Sequence, residues 1–186
     1  MKMHHYPTTF VHLINMAGLL GICVILGMAF YYQVVRHELP CPLCLLQRVG
    51  FIIAGFGFLF NLYFGLREVH YGMVIIGSIL TGVMASRQMF LHIMPGDAGY
   101  GPAFLGLHFY TWALIISVLL MTAVAVVLAI SSVNVTFRSL NINPALFSIA
   151  GWVFLLLITS NLISTVLECG GGECAANPVL YKLLSK

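Results

Sequence analysis

The sequence predicts an all-α integral membrane protein, a bundle of about five transmembrane helices. Three observations carry this reading. Of the 186 residues, 61% are hydrophobic and only 7% are charged. Mean hydropathy is +1.03. The apolar residues fall into runs long enough to cross a bilayer, divided by short stretches of turn formers. A soluble domain does not carry so few charges. The net charge of +3 comes from very few groups and implies no nucleic-acid partner. Outside the runs too little chain remains for a soluble domain, so residues 1–186 are read as one transmembrane domain in contact with lipid.

The first nine residues are polar, with Lys2, His4 and His5. The first span follows, about 10–32. It is too long for a signal-peptide core and no small-x-small cleavage pattern comes after it, so it is expected to remain. Cys23 lies mid-span among Ile22, Val24 and Ile25 and reads as a small buried hydrophobe. A polar link from Gln33 to Pro40 leads to the second span, 41–66. Arg67-Glu68-Val69-His70 reads as a tight turn before the third span, 71–93. Met94 to Pro102 is rich in Pro, Gly and Asp and forms a loop. The fourth span is 107–130. A second polar link, Ser131 to Asn143 with Arg138, precedes the fifth, 144–167. Residues 168–186 are a tail. Tyr31, Tyr32, Phe109, Tyr110 and Trp112 mark one membrane interface, and Tyr63, Phe64 and Tyr71 the other.

The stretch with most chemistry is Pro40-Cys41-Pro42-Leu43-Cys44-Leu45-Leu46-Gln47-Arg48. Pro42 suits the first position of a helix, because it has no N–H to donate and its φ is preset. Cys41 then becomes the N-cap and Cys44 falls in the first turn. Unpaired N–H groups and the helix dipole favour a thiolate there. Arg48, four residues on, shares the face of Cys44 about 6 Å along the axis, where its charge would stabilise that thiolate further. Stabilising the reduced form makes the disulfide a stronger oxidant. An arginine inside a span faces a cavity, a partner or a ligand; the competing reading is that it snorkels to the nearby surface. Arg87 stands at similar depth in the third span. With Gln47, Gln88, His92 and His108 it reads as a polar patch beneath the cysteines, fit for the head of a lipophilic electron acceptor such as a quinone. Snorkelling and inter-helix hydrogen bonds are the plainer account of the same residues.

The tail is the second informative stretch. Cys169 and Cys174 bracket three glycines, which permit a tight loop closed by a disulfide. Glu168 and Glu173 disfavour thiolates beside them. Asn177-Pro178 reads as the start of a short surface helix with Val179, Leu180, Leu183 and Leu184 as its apolar stripe. A disordered end with a structural disulfide is the alternative. Five spans bring Cys41 and Cys44 to the same side of the membrane as Cys169 and Cys174. Lysine and arginine are balanced between the two sides, so the positive-inside rule does not orient the chain. Two cysteine pairs on one face point to an oxidising compartment on that side.

Cys41-Pro42-Leu43-Cys44-Leu45-Leu46-Gln47-Arg48 resembles the Cys-x-x-Cys-x-x-x-Arg signature of the DsbB family, disulfide bond formation proteins of bacterial inner membranes. Ala85-Ser86-Arg87-Gln88 and Leu91-His92-Ile93-Met94-Pro95 are similar to that family's third span and its exit. Phe104-Leu105-Gly106-Leu107, with Trp112 after it, resembles the entry to its fourth. The likeness covers roughly residues 31–130. It implies a four-helix core that takes electrons from a periplasmic thioredoxin-fold dithiol oxidase, a DsbA-like partner, and passes them through two cysteine pairs to ubiquinone or menaquinone. It implies Cys44 as the sulfur that meets the quinone and Arg48 as its neighbour. The site expected on both grounds comprises Cys41, Cys44, Cys169 and Cys174 as redox residues, and Arg48, Gln47, Arg87 and His92 around the quinone, with no metal. Both pairs would face the periplasm. The chain departs from the family pattern in its extra C-terminal span and in a second pair placed after it. The rival reading is a membrane protein holding zinc on four cysteines without redox turnover.

Overall fold

The computed structural model describes residues 8–131 and 144–184. The N-terminal polar stretch with Lys2, His4 and His5, and the link with Arg138, lie outside the described residues. Among the described residues five helices are long and apolar enough to cross a membrane: α1 (Thr8–Val35), α2 (Pro42–Tyr63), α3 (Glu68–Leu91), α4 (Phe109–Ser131) and α5 (Pro144–Cys169). The chain is a helical membrane protein, as its composition predicts.

Helix α2 is the centre of the bundle. It packs on α3, on α1 and on α5, while α4 packs on α3. Small residues let α2 and α3 approach closely: a Cβ on Gly50 would stand 2.7 Å from the Gly77 carbonyl oxygen. Between spans that share an apolar solvent, such close backbone contact replaces the hydrophobic drive that assembles soluble helices. Helix α5 docks differently. Phe154, fully buried, presses into the notch at Gly55 and meets the Phe56 ring edge-on at 5.4 Å. Tyr63 of α2 donates to the Phe147 carbonyl, and Gln33 near the end of α1 bonds Ser164 and Glu168 near the end of α5. Helix α5 therefore runs parallel to α1 and antiparallel to α2. Both cysteine pairs come to the same end of the bundle, as the span count requires.

Several boundaries differ from expectation. Helix α1 continues to Val35 and takes Gln33 into its last turns; the amide is 1% exposed and bonded, so it behaves as part of the bundle and not of a polar link. Glu68 to His70 form the first turn of α3, with Arg67 at the N-cap position making no side-chain cap bond, and the turn before them uses Gly65 at φ 85°. Tyr71 is buried against Asn15 and not at an interface. A two-strand hairpin that periodicity could not announce joins α3 to α4: β1 (Ala103–Phe104) and β2 (Leu107–His108) pair antiparallel. Leu105 and Gly106 both take positive φ, 52° and 80°, the requirement of a two-residue hairpin turn whose twist matches its strands. Among the described residues no α-helix follows Pro178, and the chain there forms only a turn at 182–184.

Candidate functional site

Pro42 opens α2 and Cys41 caps it: the Cys44 N–H donates to Cys41 Sγ at 3.1 Å. A thiol thus fills the place a serine or aspartate takes at other helix starts. Both thiols are free, with Cys41 buried and Cys44 half-buried. Gln88 reaches across from α3. Its Nε2 donates to Cys41 Sγ at 3.3 Å and to Cys44 Sγ at 3.5 Å, and its Oε1 accepts from the Cys44 thiol at 3.7 Å and from Gln47 Nε2 at 2.8 Å. One amide therefore addresses both sulfurs. The Cys41 thiol, just outside the span, is pushed well up: its bond with the Cys44 side chain weighs most, then burial, then the charge of Cys44. The N–H groups of Cys44 and Leu43 oppose this and are outweighed. Tyr100 straps the loop over the mouth by donating to the Leu39 carbonyl at 2.8 Å. Burial, followed by the negative charges of Cys41 and Cys44, raises its hydroxyl above the usual range.

Arg48 does not sit on Cys44 as the four-residue spacing predicts. Its side chain turns to α1 and α5. Nη1 donates to Gln33 Oε1 at 2.8 Å and to Asn161 Oδ1 at 2.9 Å, and Nη2 donates to the Ala29 carbonyl at 3.2 Å. Cys44 remains within electrostatic range without a direct bond. Four positions on one helix turn share a face only loosely, and three acceptors on neighbouring helices decide where the guanidinium points.

A cavity of about 280 Å³ opens beside these groups. Cys44, Gln47, Arg48 and Gln88 line its polar wall. Apolar side chains of α1 and α4, among them Ile25, Met28, Ala113 and Ile116, line the rest, and Leu39, Pro40 and Tyr100 roof it. Near the mouth α1 and α4 meet through Tyr32 and Phe109, with ring centroids 4.8 Å apart. Arg87 and His92, expected here, lie elsewhere. Arg87 lines a separate groove between α3 and α4, one residue and about 100° around the helix from Gln88. His92 pairs with Asp97 at 3.1 Å in the loop and stacks near Tyr110. The Gly99 N–H, then His92, holds the Asp97 carboxyl below the usual carboxylate range.

At the end of α5, Cys169 and Cys174 form a disulfide. Gly170 and Gly171 take positive φ, and the Gly170 N–H returns to the Val166 carbonyl. The tail then folds back: Lys182 and Leu183 donate backbone N–H groups to the carbonyls of Glu168 and Leu167. Those carbonyls are orphans of a helix end, and the returning tail satisfies them.

Residue types alone do not reveal the contacts of four participants. Gln88 reads from the sequence as one of the polar patch beneath the cysteines, without a contact to either sulfur. Its place is legible from the small buried face of α3, on which Gly77, Thr81, Ala85 and Gln88 recur at helical spacing. Gln33, Asn161 and Glu168 complete the surroundings of Arg48. Asn161, Ser164 and Glu168, at intervals of three and four, form a polar stripe on an otherwise apolar helix, which is the signal that could have found them.

A family model for disulfide bond formation protein DsbB matches residues 12–101. Among curated relatives, the disulfide bond formation protein B of Nitrosomonas eutropha is 34% identical over 97 residues, 47% of this chain and 60% of the relative. That of Hahella chejuensis is 34% identical over 82 residues, 42% of this chain and 50% of the relative. Disulfide bond formation protein B 1 of Pseudomonas syringae pv. syringae is 40% identical over 85 residues, 43% of this chain and 50% of the relative. The chain thus spans about half the length of the curated relatives it matches. No solved structure matches it. The family match takes in the Cys41 mouth, Arg48 and Gln88 and stops before α4, α5 and the tail cysteines. Over that segment the chain is similar to the DsbB family.

Proposed function

We propose that the protein is a disulfide-generating oxidoreductase of the bacterial inner membrane, which reoxidises a periplasmic thioredoxin-fold dithiol protein and passes the electrons to a membrane quinone. The observation that carries this reading is the single cavity wall shared by Cys44, Gln47, Arg48 and Gln88. The donor set fits a quinone: amide and guanidinium N–H groups are spaced along one wall for carbonyl oxygens, and apolar side chains of α1 and α4 face a flat ring and its prenyl chain. When bound, ubiquinone or menaquinone supplies the two-electron oxidant. The protein supplies the rest. Gln88 orients both sulfurs, Arg48 contributes fixed positive charge next to them, and the apolar walls exclude water.

The relay balances as thiol–disulfide exchange. A partner thiolate attacks one sulfur of Cys169–Cys174, that S–S bond breaks, and the partner's second thiol closes its own disulfide. The tail pair is left as two thiols. These reduce a Cys41–Cys44 disulfide in the same manner, and the mouth dithiol gives up two electrons and two protons at the cavity. Both pairs belong on the periplasmic side in this reading, where an oxidising compartment preserves the tail disulfide. The zinc alternative loses support, since among the described residues no three His, Cys, Asp or Glu side chains converge as a metal site.

The test is quinol formation by the purified chain with short-chain ubiquinone or a menaquinone analogue and a reduced thioredoxin-fold dithiol oxidase. Turnover is expected, and both Cys44→Ser and Cys169→Ser should abolish it. Turnover surviving in Cys169→Ser would remove the tail pair from the relay. No turnover with either quinone would overturn the reading.

A further inference from the structure

Glu168 is 3% exposed at the end of α5, the residue before Cys169. Its Oε2 accepts from Gln33 Nε2 at 3.3 Å, while its Oε1 is buried without a hydrogen-bond partner. A buried carboxylate oxygen left unpaired costs free energy that a structural role does not require. Gln33 joins this carboxyl to the cavity: its Oε1 takes the Arg48 guanidinium at 2.8 Å. Arg48 lies within electrostatic range of Glu168 and of both mouth cysteines, and so does Tyr100. One carboxyl thus adjoins the tail pair along the peptide chain and reaches the mouth pair only electrostatically, through Gln33 and Arg48.

We propose that Glu168 is the proton-exchanging group of the sulfur relay. This rests on the disulfide-exchange reading above. When a dithiol attacks Cys169–Cys174, the departing sulfur leaves with the bonding electron pair and takes its proton from the Glu168 carboxyl. When the tail dithiol later attacks a Cys41–Cys44 disulfide, the carboxylate accepts the thiol proton as the new S–S bond forms. The carboxyl is restored over one cycle and no net proton is consumed. The fifth span then contributes more than an anchor, for it brings an acid–base group to a pair of sulfurs that the four-helix core does not contain.

The charged and titratable groups that face Glu168 are Arg48 from α2 and Tyr100 from the loop, with Lys182 of the tail bonded to its backbone carbonyl; Arg48 in turn faces the mouth cysteines and Tyr181, and α1 presents the neutral Gln33. None is altered by Glu168→Gln, which keeps the size of the side chain and removes its exchangeable acid. The experiment measures reduction of the tail disulfide by dithiothreitol in the full chain, with pH varied and thermal unfolding followed in parallel. Neither quinone nor partner is needed. Glu168→Gln should slow reduction about tenfold or more where the carboxyl is protonated, the usual scale of general acid catalysis. The wild-type to variant ratio should then shrink toward one as pH rises and the acid form disappears. Glu168→Asp should recover part of the rate. A ratio that is constant with pH, or equal to one throughout, overturns the proposal. The quinone reading is judged separately: a wild-type chain that shows the pH-dependent ratio but reduces no quinone keeps Glu168 in its role and removes the quinone.

Discussion

The two ends of α2 carry polar clusters built from similar residues to different ends. At the end away from the cysteines, Asn61 is closed in on all sides. Its Nδ2 donates to Asn15 Oδ1, and its Oδ1 accepts from the Arg67 N–H and pairs with His70 Nδ1. Asn15 in turn donates to the Val11 carbonyl and the Tyr71 hydroxyl. Every donor named has a partner in α1, α2 or α3, and the cluster pins three helices. At the other end, Arg48 and Gln88 also tie helices together, but one side of the cluster is a cavity wall and the far side ends on an unpaired carboxylate oxygen. The difference teaches how to read buried polarity in a membrane bundle. A saturated network fixes register, while a network with an open face and an unpaired oxygen is poised to react with something that arrives.

Substitutions at the two ends should therefore fail in different ways. Arg48→Gln should lower quinone turnover about a hundredfold, ~2.7 kcal/mol of barrier, since fixed charge beside a reacting group acts strongly in a dry site. Steady-state assays across quinone concentration check this, and a variant as fast as wild type would make Arg48 a tie between helices like Asn61. Asn61→Leu should act the opposite way. It strands Asn15 Oδ1, the Arg67 N–H and His70 Nδ1, and should cost ~2 kcal/mol of stability in thermal unfolding while leaving turnover unchanged. If its turnover collapsed with stability intact, the contrast between the two ends would be lost.

The contrast was only half legible in the sequence. Five spans, the capping cysteine and the shared side of the two pairs follow from run lengths, from Pro42 and from counting, because hydropathy and a fixed φ are local properties. Which polar residues meet is not local. Arg87 and Gln88 are adjacent in sequence, and a rotation of about 100° sends one to the groove beside α4 and the other to the sulfurs. Arg48 has the spacing to cover Cys44, yet Gln33 and Asn161, on helices far away in sequence, capture it. His92 looks like a site residue by depth and is claimed by Asp97 in its own loop. Tertiary partners decide these cases, and a single sequence carries them only as faint polar stripes such as Asn161, Ser164 and Glu168.

Gln88 sharpens the comparison from the side of the sulfurs. Gln88→Leu removes the donor to Cys41 and Cys44 and the acceptor for Gln47. Gln47 keeps no other side-chain partner among the hydrogen bonds at this wall, so some stability is lost as well. The expected loss in turnover is about tenfold, or ~1.4 kcal/mol, smaller than at Arg48 because a neutral donor is replaced and not a charge. Alkylation of the mouth thiols as a function of pH separates the two effects. A changed profile means that the amide tunes the sulfurs, and an unchanged profile with slow turnover means that it only holds them in place.

The smallest effect belongs to the exposed loop. Asp97 lies below its ordinary range because the Gly99 N–H and His92 favour the carboxylate. A carboxyl lowered in the folded state contributes order that is present in full above its unfolded value, 3.8, and is lost as pH falls through the lower folded value. Near neutral pH the carboxyl should thus stay ionised, and below about pH 4 the loop should loosen. Protection of the Gly99 amide in hydrogen exchange, measured at pH 6 and pH 3, reads this directly. Asp97→Asn should retain part of the protection and remove its pH dependence, while quinone turnover at neutral pH stays as it was. His92 would then be a loop residue on functional as well as geometric grounds. A loss of turnover in Asp97→Asn would instead tie the loop to the cavity through Tyr100 and the Leu39 carbonyl, the strap that crosses above the mouth.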